Sequence, residues 1–167
     1  MKTCVFITGT HAVGKSALAW AIIDRYGGVD RITNEKGSSC TSKLAEVVEE
    51  ALKNADTVFC EGSFMNTFGL NLTNAMFKAQ RYLLVSLYCA PQEIYSRLLQ
   101  RSNGRNGHRN FQLILKKQKQ AMIAARKWQE IGVKVLQMNT SEVTVEQELQ
   151  LITETIGKLC GEDTTTR

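Results

Sequence analysis

A chain of 167 residues, 43% of them apolar and with Pro91 its single proline, is long enough to bury a core and too apolar to be disordered. Lysine and arginine outnumber aspartate and glutamate 21 to 16, a net +5, which favours anionic partners. No apolar run reaches the roughly 18 residues of a membrane span, and the apolar amino terminus lacks a cleavage-like site, so neither membrane nor signal peptide is expected.

Length and the lack of repeats or linkers predict one domain over residues 1–167. The five cysteines, Cys4, Cys40, Cys60, Cys89 and Cys160, are odd in number and form no C-x-x-C. Reduced, mostly buried thiols in a cytoplasmic compartment explain that pattern. Without secretion, the sequons at Asn71 and Asn139 carry no weight.

In chain order, Met1 to Thr8 is apolar and rich in β-branched residues, as a buried parallel strand is. It runs into Gly9-Thr10-His11-Ala12-Val13-Gly14-Lys15-Ser16, which fits the phosphate-loop pattern G-x-x-x-x-G-K-[ST]. The next segment, to Tyr26, sets Leu18, Ala21, Ile22 and Tyr26 on one helical face. Strand, glycine loop and helix are the context in which this pattern binds a triphosphate. The glycines let amides turn inward, and the helix N-terminus adds its positive end. Lys15 is expected on the outer phosphates and the Ser16 hydroxyl on Mg²⁺, with Gly9 to Ala17 forming the cradle.

Val29 to Glu35 reads as a short second strand, and Thr41 to Asn54 as a helix. Thr57 to Gly62 is a buried strand ending in Glu61. A loop and helix fill 63 to 81, and Tyr82 to Cys89 is the fourth strand. Pro91 opens a helix to Arg101, the glycine- and asparagine-rich stretch 102–110 reads as a loop, and a long helix covers Phe111 to Ile131. Val133 to Met138 is the fifth strand, Thr144 to Leu159 the last helix, and 161–167 a frayed tail. Such alternation predicts an α/β fold: a five-stranded, mostly parallel sheet with helices on both faces, in three layers. Ligands in such folds bind at the carboxyl ends of the strands.

At that edge Glu61 is expected to help hold Mg²⁺ or act as a base. Glu35 or Asp30 could accept the proton of an attacking hydroxyl. From Arg97 to Lys127 there are nine cations (Arg97, Arg101, Arg105, Arg109, Lys116, Lys117, Lys119, Arg126, Lys127) and no acid. Against a total of +5, the rest of the chain therefore carries −4. A block so one-sided points to a polyanion, and nucleic acid is the expected partner through 97–127. Arg97 and Arg101 lie one helical turn apart, with Arg105 in the flexible stretch beyond. A lid over about 101–111 could present them to a transferring phosphoryl group. His11 either meets phosphate or acceptor or merely fills a variable position. Phe64 and Phe68 either stack on a base or pack inside, and Phe77 and Trp128 are expected in the core.

With these parts assembled, the chain resembles the small P-loop kinases of the nucleoside, nucleotide and polynucleotide group. The likeness runs from "VFITGTHAVGKS" through "VFCEGS" and "LLVSLYCAPQEIYSRLLQR" to "VLQMNTS". It implies ATP and Mg²⁺ as cofactors, lid arginines at Arg97 and Arg101, and an adenine-contacting turn at Asn139 and Thr140. In layout the chain is similar to the thymidylate kinase superfamily, but "EGSF" replaces the Asp-Arg pair after the third strand and "GKSA" the usual "GKST". Within that superfamily it is similar to the bacteriophage kinases acting on 5-hydroxymethyluracil in DNA. That resemblance rests on overall similarity and on a basic face too large for a mononucleotide; place in the chain and charge give Lys15, Glu61, Glu35, Arg101 and Arg105 as the expected catalytic set and Ser16 and Glu61 as metal ligands, in the cytoplasm, that of the host if the chain is phage-encoded. The alternative acceptor is a free nucleoside or nucleoside monophosphate. A third reading is a slow nucleotide hydrolase that regulates a partner, for which no guanine-selecting Asn-Lys-x-Asp is present. An oligomer is compatible with all three.

Overall fold

The computed structural model describes residues 1–26, 30–33, 44–62, 74–101 and 107–161. Glu35, Arg105, Phe64, Phe68, Cys40 and the tail from 162 lie outside the described residues, as do the side chains of Asp30 and Arg109. The elements are β1 (Thr3–Thr8), α1 (Lys15–Tyr26), β2 (Asp30–Thr33), α2 (Leu44–Asn54), β3 (Thr57–Gly62), β4 (Arg81–Tyr88), α3 (Pro91–Arg101), α4 (Gly107–Glu130), β5 (Val135–Asn139) and α5 (Val145–Gly161).

The strands line up as β2-β3-β1-β4-β5, and every pairing is parallel. Four of them have fully described side chains, and β2 adds a four-residue edge. β1 is buried at all six positions, as a central strand covered on both faces must be. Its side chains alternate between two cores. Cys4 and Phe6 join α2, Met76 and the Ala125–Trp128 end of α4. Val5 and Ile7 meet Leu18 and Ile22 of α1, Ile94 of α3, and Leu149 and Ile152 of α5. Helices therefore cover both faces, which makes three layers.

β1 also lies at the switch in strand order, where neighbouring connections leave in opposite directions and open a crevice. Gln118 of α4 fixes one wall of it. Its amide oxygen accepts from Cys89 N at 3.0 Å, and its amide nitrogen donates to Cys89 O at 2.9 Å. Ala90 N donates to Ser141 Oγ at 2.8 Å, and Thr140 N to Tyr88 O at 2.8 Å. These bonds satisfy the backbone where β4 ends and tie the turn after β5 to the start of α3.

Several local expectations are corrected. α4 begins at Gly107, not Phe111, because a 24-residue helix anchored downstream extends into a sequence of weak propensity at little cost. Phe77 is 69% exposed and meets Tyr82 edge-on rather than entering the core, whereas Trp128 is buried. Tyr26 is exposed too; its hydroxyl bonds Thr153 Oγ1 of α5 instead of filling the stripe of α1, where Ala19 is buried. Cys4, Cys60 and Cys89 are buried free thiols, and burial pushes the Cys4 thiol well up. Among the described residues no helix is long and apolar enough to cross a membrane.

Gly9 leaves β1 at φ 149°, and a Cβ there would sit 2.6 Å from Leu87 O and 2.7 Å from Val13 Cγ2. Gly132 also has a positive φ, 87°, but its Cβ would meet open space. Gly9→Ala should therefore cost about 3 kcal/mol or more by urea unfolding, and Gly132→Ala about 1 kcal/mol. Equal costs would show that backbone conformation, not close approach, governs Gly9.

Candidate active site

The register that pairs Ile7 with Glu61 and Thr8 with Gly62 brings the end of β3 beside the loop leaving β1. Ser16, in the first turn of α1, donates from Oγ to Glu61 Oε1 at 2.8 Å. Glu61 is buried, while Ser16 faces solution. Lys15 Nζ reaches back across the loop to Thr10 O at 2.7 Å. Burial pushes the Lys15 pKa down to about 8; the Glu61 carboxylate pulls it up, and Arg101 adds to the depression. A polyphosphate in the loop would favour the charged form.

The loop backbone departs from right-handed values at Gly9, Ala12 (φ 66°) and Gly14 (φ 104°). Such departures turn successive N–H groups toward one side, which makes an anion-binding concavity. Ala12 carries the strain of a left-handed non-glycine residue, roughly 1–2 kcal/mol. Arg97 of α3 braces it, donating from Nη1 to Ala12 O at 3.1 Å. The same guanidinium reaches Thr140 Oγ1 and Thr140 O, each at 3.3 Å, and Nε meets Glu93 at 3.3 Å. Arg97 thus joins loop and turn as a strut.

Beside the loop opens a cavity of about 340 Å³, lined by Ala12–Gly14 and Ala17, by Arg97 and Arg101, and by Thr140, Val143–Val145 and Glu148. Asn139 does not line it. Its Oδ1 accepts from Ser141 N at 3.2 Å and shapes the turn that presents Thr140. Glu148 is 3% exposed. Burial pushes its pKa up to about 7, with Arg97 partly offsetting the rise.

No protein-family model and no curated protein matches the chain. Solved structures do. The YorR protein from Bacillus subtilis, in complex with phosphorylated GDP, superposes with a TM-score of 0.69 at 16% identity, covering 92% of this chain and 95% of that one. Shikimate kinase from Bacteroides thetaiotaomicron gives 0.58 at 15%, covering 93% and 98%. Deoxyadenosine kinase from M. mycoides gives 0.56 at 13%, covering 95% and 100%. The chain shares its fold with these three proteins, two of which are kinases. At such identities the likeness is one of fold alone.

On that fold, the sequence-derived residues Gly9, Thr10, Ala12, Val13, Gly14, Lys15, Ser16, Glu61, Arg97, Arg101 and Thr140 gather at one edge of the sheet. His11 is exposed at the loop tip, its pKa lowered by burial first and then by Lys15, Lys117 and Arg101. Lys117, read from the sequence only as part of the basic block, therefore stands within electrostatic reach of the loop. The block itself divides. Arg97 is used inside the site, whereas Lys116, Lys119, Arg126 and Lys127 are exposed along α4.

Ser16 and Glu61 supply two hard oxygen donors, the kind Mg²⁺ takes. No cluster of three or more His, Cys, Asp or Glu exists among the described residues. A metal here would need phosphate oxygens and water to complete its shell, as at other magnesium-nucleotide sites.

Sequence reading passed over Glu148. The available signal was an acid interrupting the apolar stripe that Leu149, Ile152 and Ile156 continue. Its raised pKa has a signed consequence. The folded state holds the proton more tightly than the unfolded chain, so Glu148 ionisation opposes folding as pH rises from about 4.5 to 7. The cost grows across that window to about 3 kcal/mol as an upper limit. Glu148→Gln should match the ligand-free wild type in urea unfolding near pH 4.5 and exceed it at pH 8. A less stable variant at pH 8 would mean that the carboxylate is compensated.

Proposed function

We propose that this protein is a kinase that transfers the terminal phosphoryl group of ATP, with Mg²⁺, to a hydroxyl of a nucleoside or nucleotide acceptor. The observation that carries this is the contact of Ser16 with Glu61 beside a Lys15-bearing phosphate loop. The neighbours of known structure support it, since they include a deoxyadenosine kinase and a shikimate kinase.

In this reading the loop amides and Lys15 hold the phosphate chain, while Arg97 keeps the loop in its binding shape. Magnesium, when bound, would neutralise charge on the outer phosphates, with Ser16 and Glu61 as its protein-side donors. Arg101, exposed at the rim of the cavity, and Arg105 would stabilise charge on the moving group. Glu35 is assigned the acceptor proton. Most of the rate gain comes from position and fixed charge, with proton removal adding about 10²–10⁴-fold.

A second reading places the acceptor hydroxyl on a base in DNA, in its sharpest form the 5-hydroxymethyl group of 5-hydroxymethyluracil in phage DNA. The favouring observation is the exposed side of α4. Lys116, Lys119, Arg126 and Lys127 fall within about 100° of helical arc, and none has an acidic partner among the described residues. A 5-substituent projects into the major groove, where it can be reached with or without base flipping.

Radiolabelled ATP offered with thymidine, thymidine monophosphate, plain DNA and 5-hydroxymethyluracil-containing DNA separates the two. Label on nucleoside or monophosphate is the expected result, and label on the modified DNA alone would select the second reading. DNA binding in that case should fall steeply with salt. Lys15→Ala should lower transfer by about 10²–10³-fold while leaving the fold intact. Tight ATP binding with no label on any hydroxyl acceptor would sink the kinase assignment.

A further inference from the structure

We propose that Glu148 reads the base of the bound nucleotide, accepting hydrogen bonds from the amino-bearing edge of a purine and so setting nucleotide preference. This rests on the loop being the triphosphate site.

The cavity adjoins the phosphate loop directly, sharing Ala12, Val13 and Gly14 with it. A nucleotide whose phosphates lie in the loop has this space next to it for its base. The walls suit an aromatic ring. Val13, Ala17, Val143 and Val145 supply apolar surface, and Arg97 supplies a planar cation.

The polar lining is mostly already engaged. Thr140 gives both Oγ1 and its carbonyl to Arg97. Thr144 closes a capping box: its N–H donates to Gln147 Oε1 at 2.8 Å, and its Oγ1 accepts from Gln147 N at 3.3 Å. Glu148 is different. Among the described residues it is the one acid in the lining, the residue is 3% exposed, and no hydrogen bond reaches its carboxyl. A buried carboxyl without a partner is costly in the ligand-free protein and becomes productive when a ligand supplies the donor.

The donor pattern narrows the ligand. Adenine offers its 6-amino group, and guanine offers adjacent 1-imino and 2-amino groups. Hypoxanthine keeps only the ring N–H, and purine riboside has neither amine. Uracil flanks its lone N–H with two carbonyl oxygens that would face the carboxyl. Among the purines, the shared chemistry is therefore an exocyclic amine.

Binding of ATP, GTP, inosine triphosphate, purine riboside triphosphate, UTP and inorganic tripolyphosphate, measured with Mg²⁺ and without acceptor, tests this. Wild type should bind ATP or GTP at least about tenfold tighter than the matching analogue that lacks the amine. A gap between ATP and purine riboside triphosphate identifies adenine, and one between GTP and inosine triphosphate identifies guanine. Glu148→Met should erase the gap while tripolyphosphate affinity stays unchanged. Glu148→Gln, which keeps an acceptor, should retain part of it. Absence of discrimination in wild type, or a gap that survives in the Met variant, overturns the proposal and leaves the triphosphate site standing. Failure of both tripolyphosphate and every nucleotide to bind wild type overturns the loop reading, and this proposal with it.

Discussion

The contact between the Arg97 guanidinium and Ala12 O does more for the site than its single bond suggests. Ala12 sits in left-handed backbone that an alanine adopts only under constraint, and the loop needs that turn to aim its amides. The constraint comes from two sides. Gly9 presses against the carbonyl of Leu87, and Arg97 holds the carbonyl of Ala12 while gripping Thr140. Loop, third helix and post-β5 turn thus become one body. The cavity exists because those three parts are held at fixed separation.

Within that body the ionisable groups stand in unequal environments. Glu61 lies close enough to Lys15 to offset part of the cost of burying the ammonium group. Glu148 has only the partial help of Arg97, whose donors point elsewhere. The first arrangement is prepared for phosphate and cation together. The second is only partly neutralised, as a surface awaiting an uncharged donor would be. The proposed nucleotide would match that division, with one densely charged end and one merely polar.

Much of this could be seen in the sequence. Thr57–Gly62 and Pro91–Arg101 have the bounds expected of them, because an apolar run closed by a glycine and a proline-started amphipathic stretch are strong local signals. The turn between β1 and α1 was legible for the same reason, its glycines falling where the backbone takes positive φ at Gly9 and Gly14. The start of α4 was not, since glycine and asparagine describe local preference, whereas that helix is fixed by packing further along. Phe77 misled because hydrophobicity predicts burial only on average. The bracing contacts of Arg97 were not legible, as its hydrogen bonds join segments 85 and 43 residues away. Glu148 was hidden by its own neighbourhood, where a helix rich in glutamate makes one inward acid look like the outward ones.

The divided basic block bears on the acceptor. Charge counted along a chain says nothing of direction, and a helix of 24 residues is about 36 Å long. α4 passes the carboxyl end of β4, where Gln118 bonds Cys89, and ends near Val133, whose N–H bonds Trp128 O where the chain turns toward β5. Arg126 and Lys127 therefore stand toward the far end from the phosphate loop, well beyond a Debye length of about 8 Å from a phosphoryl group in it. In the proposed reaction they would stand too far away to stabilise the transfer itself. Cations at that distance act by holding something long enough to reach both ends, or they merely keep the protein soluble. An acceptor of mononucleotide size would use Arg101 and Lys117 and be indifferent to the rest. The acceptor's length, more than its chemistry, decides whether the outer half of that helix has any part in the reaction.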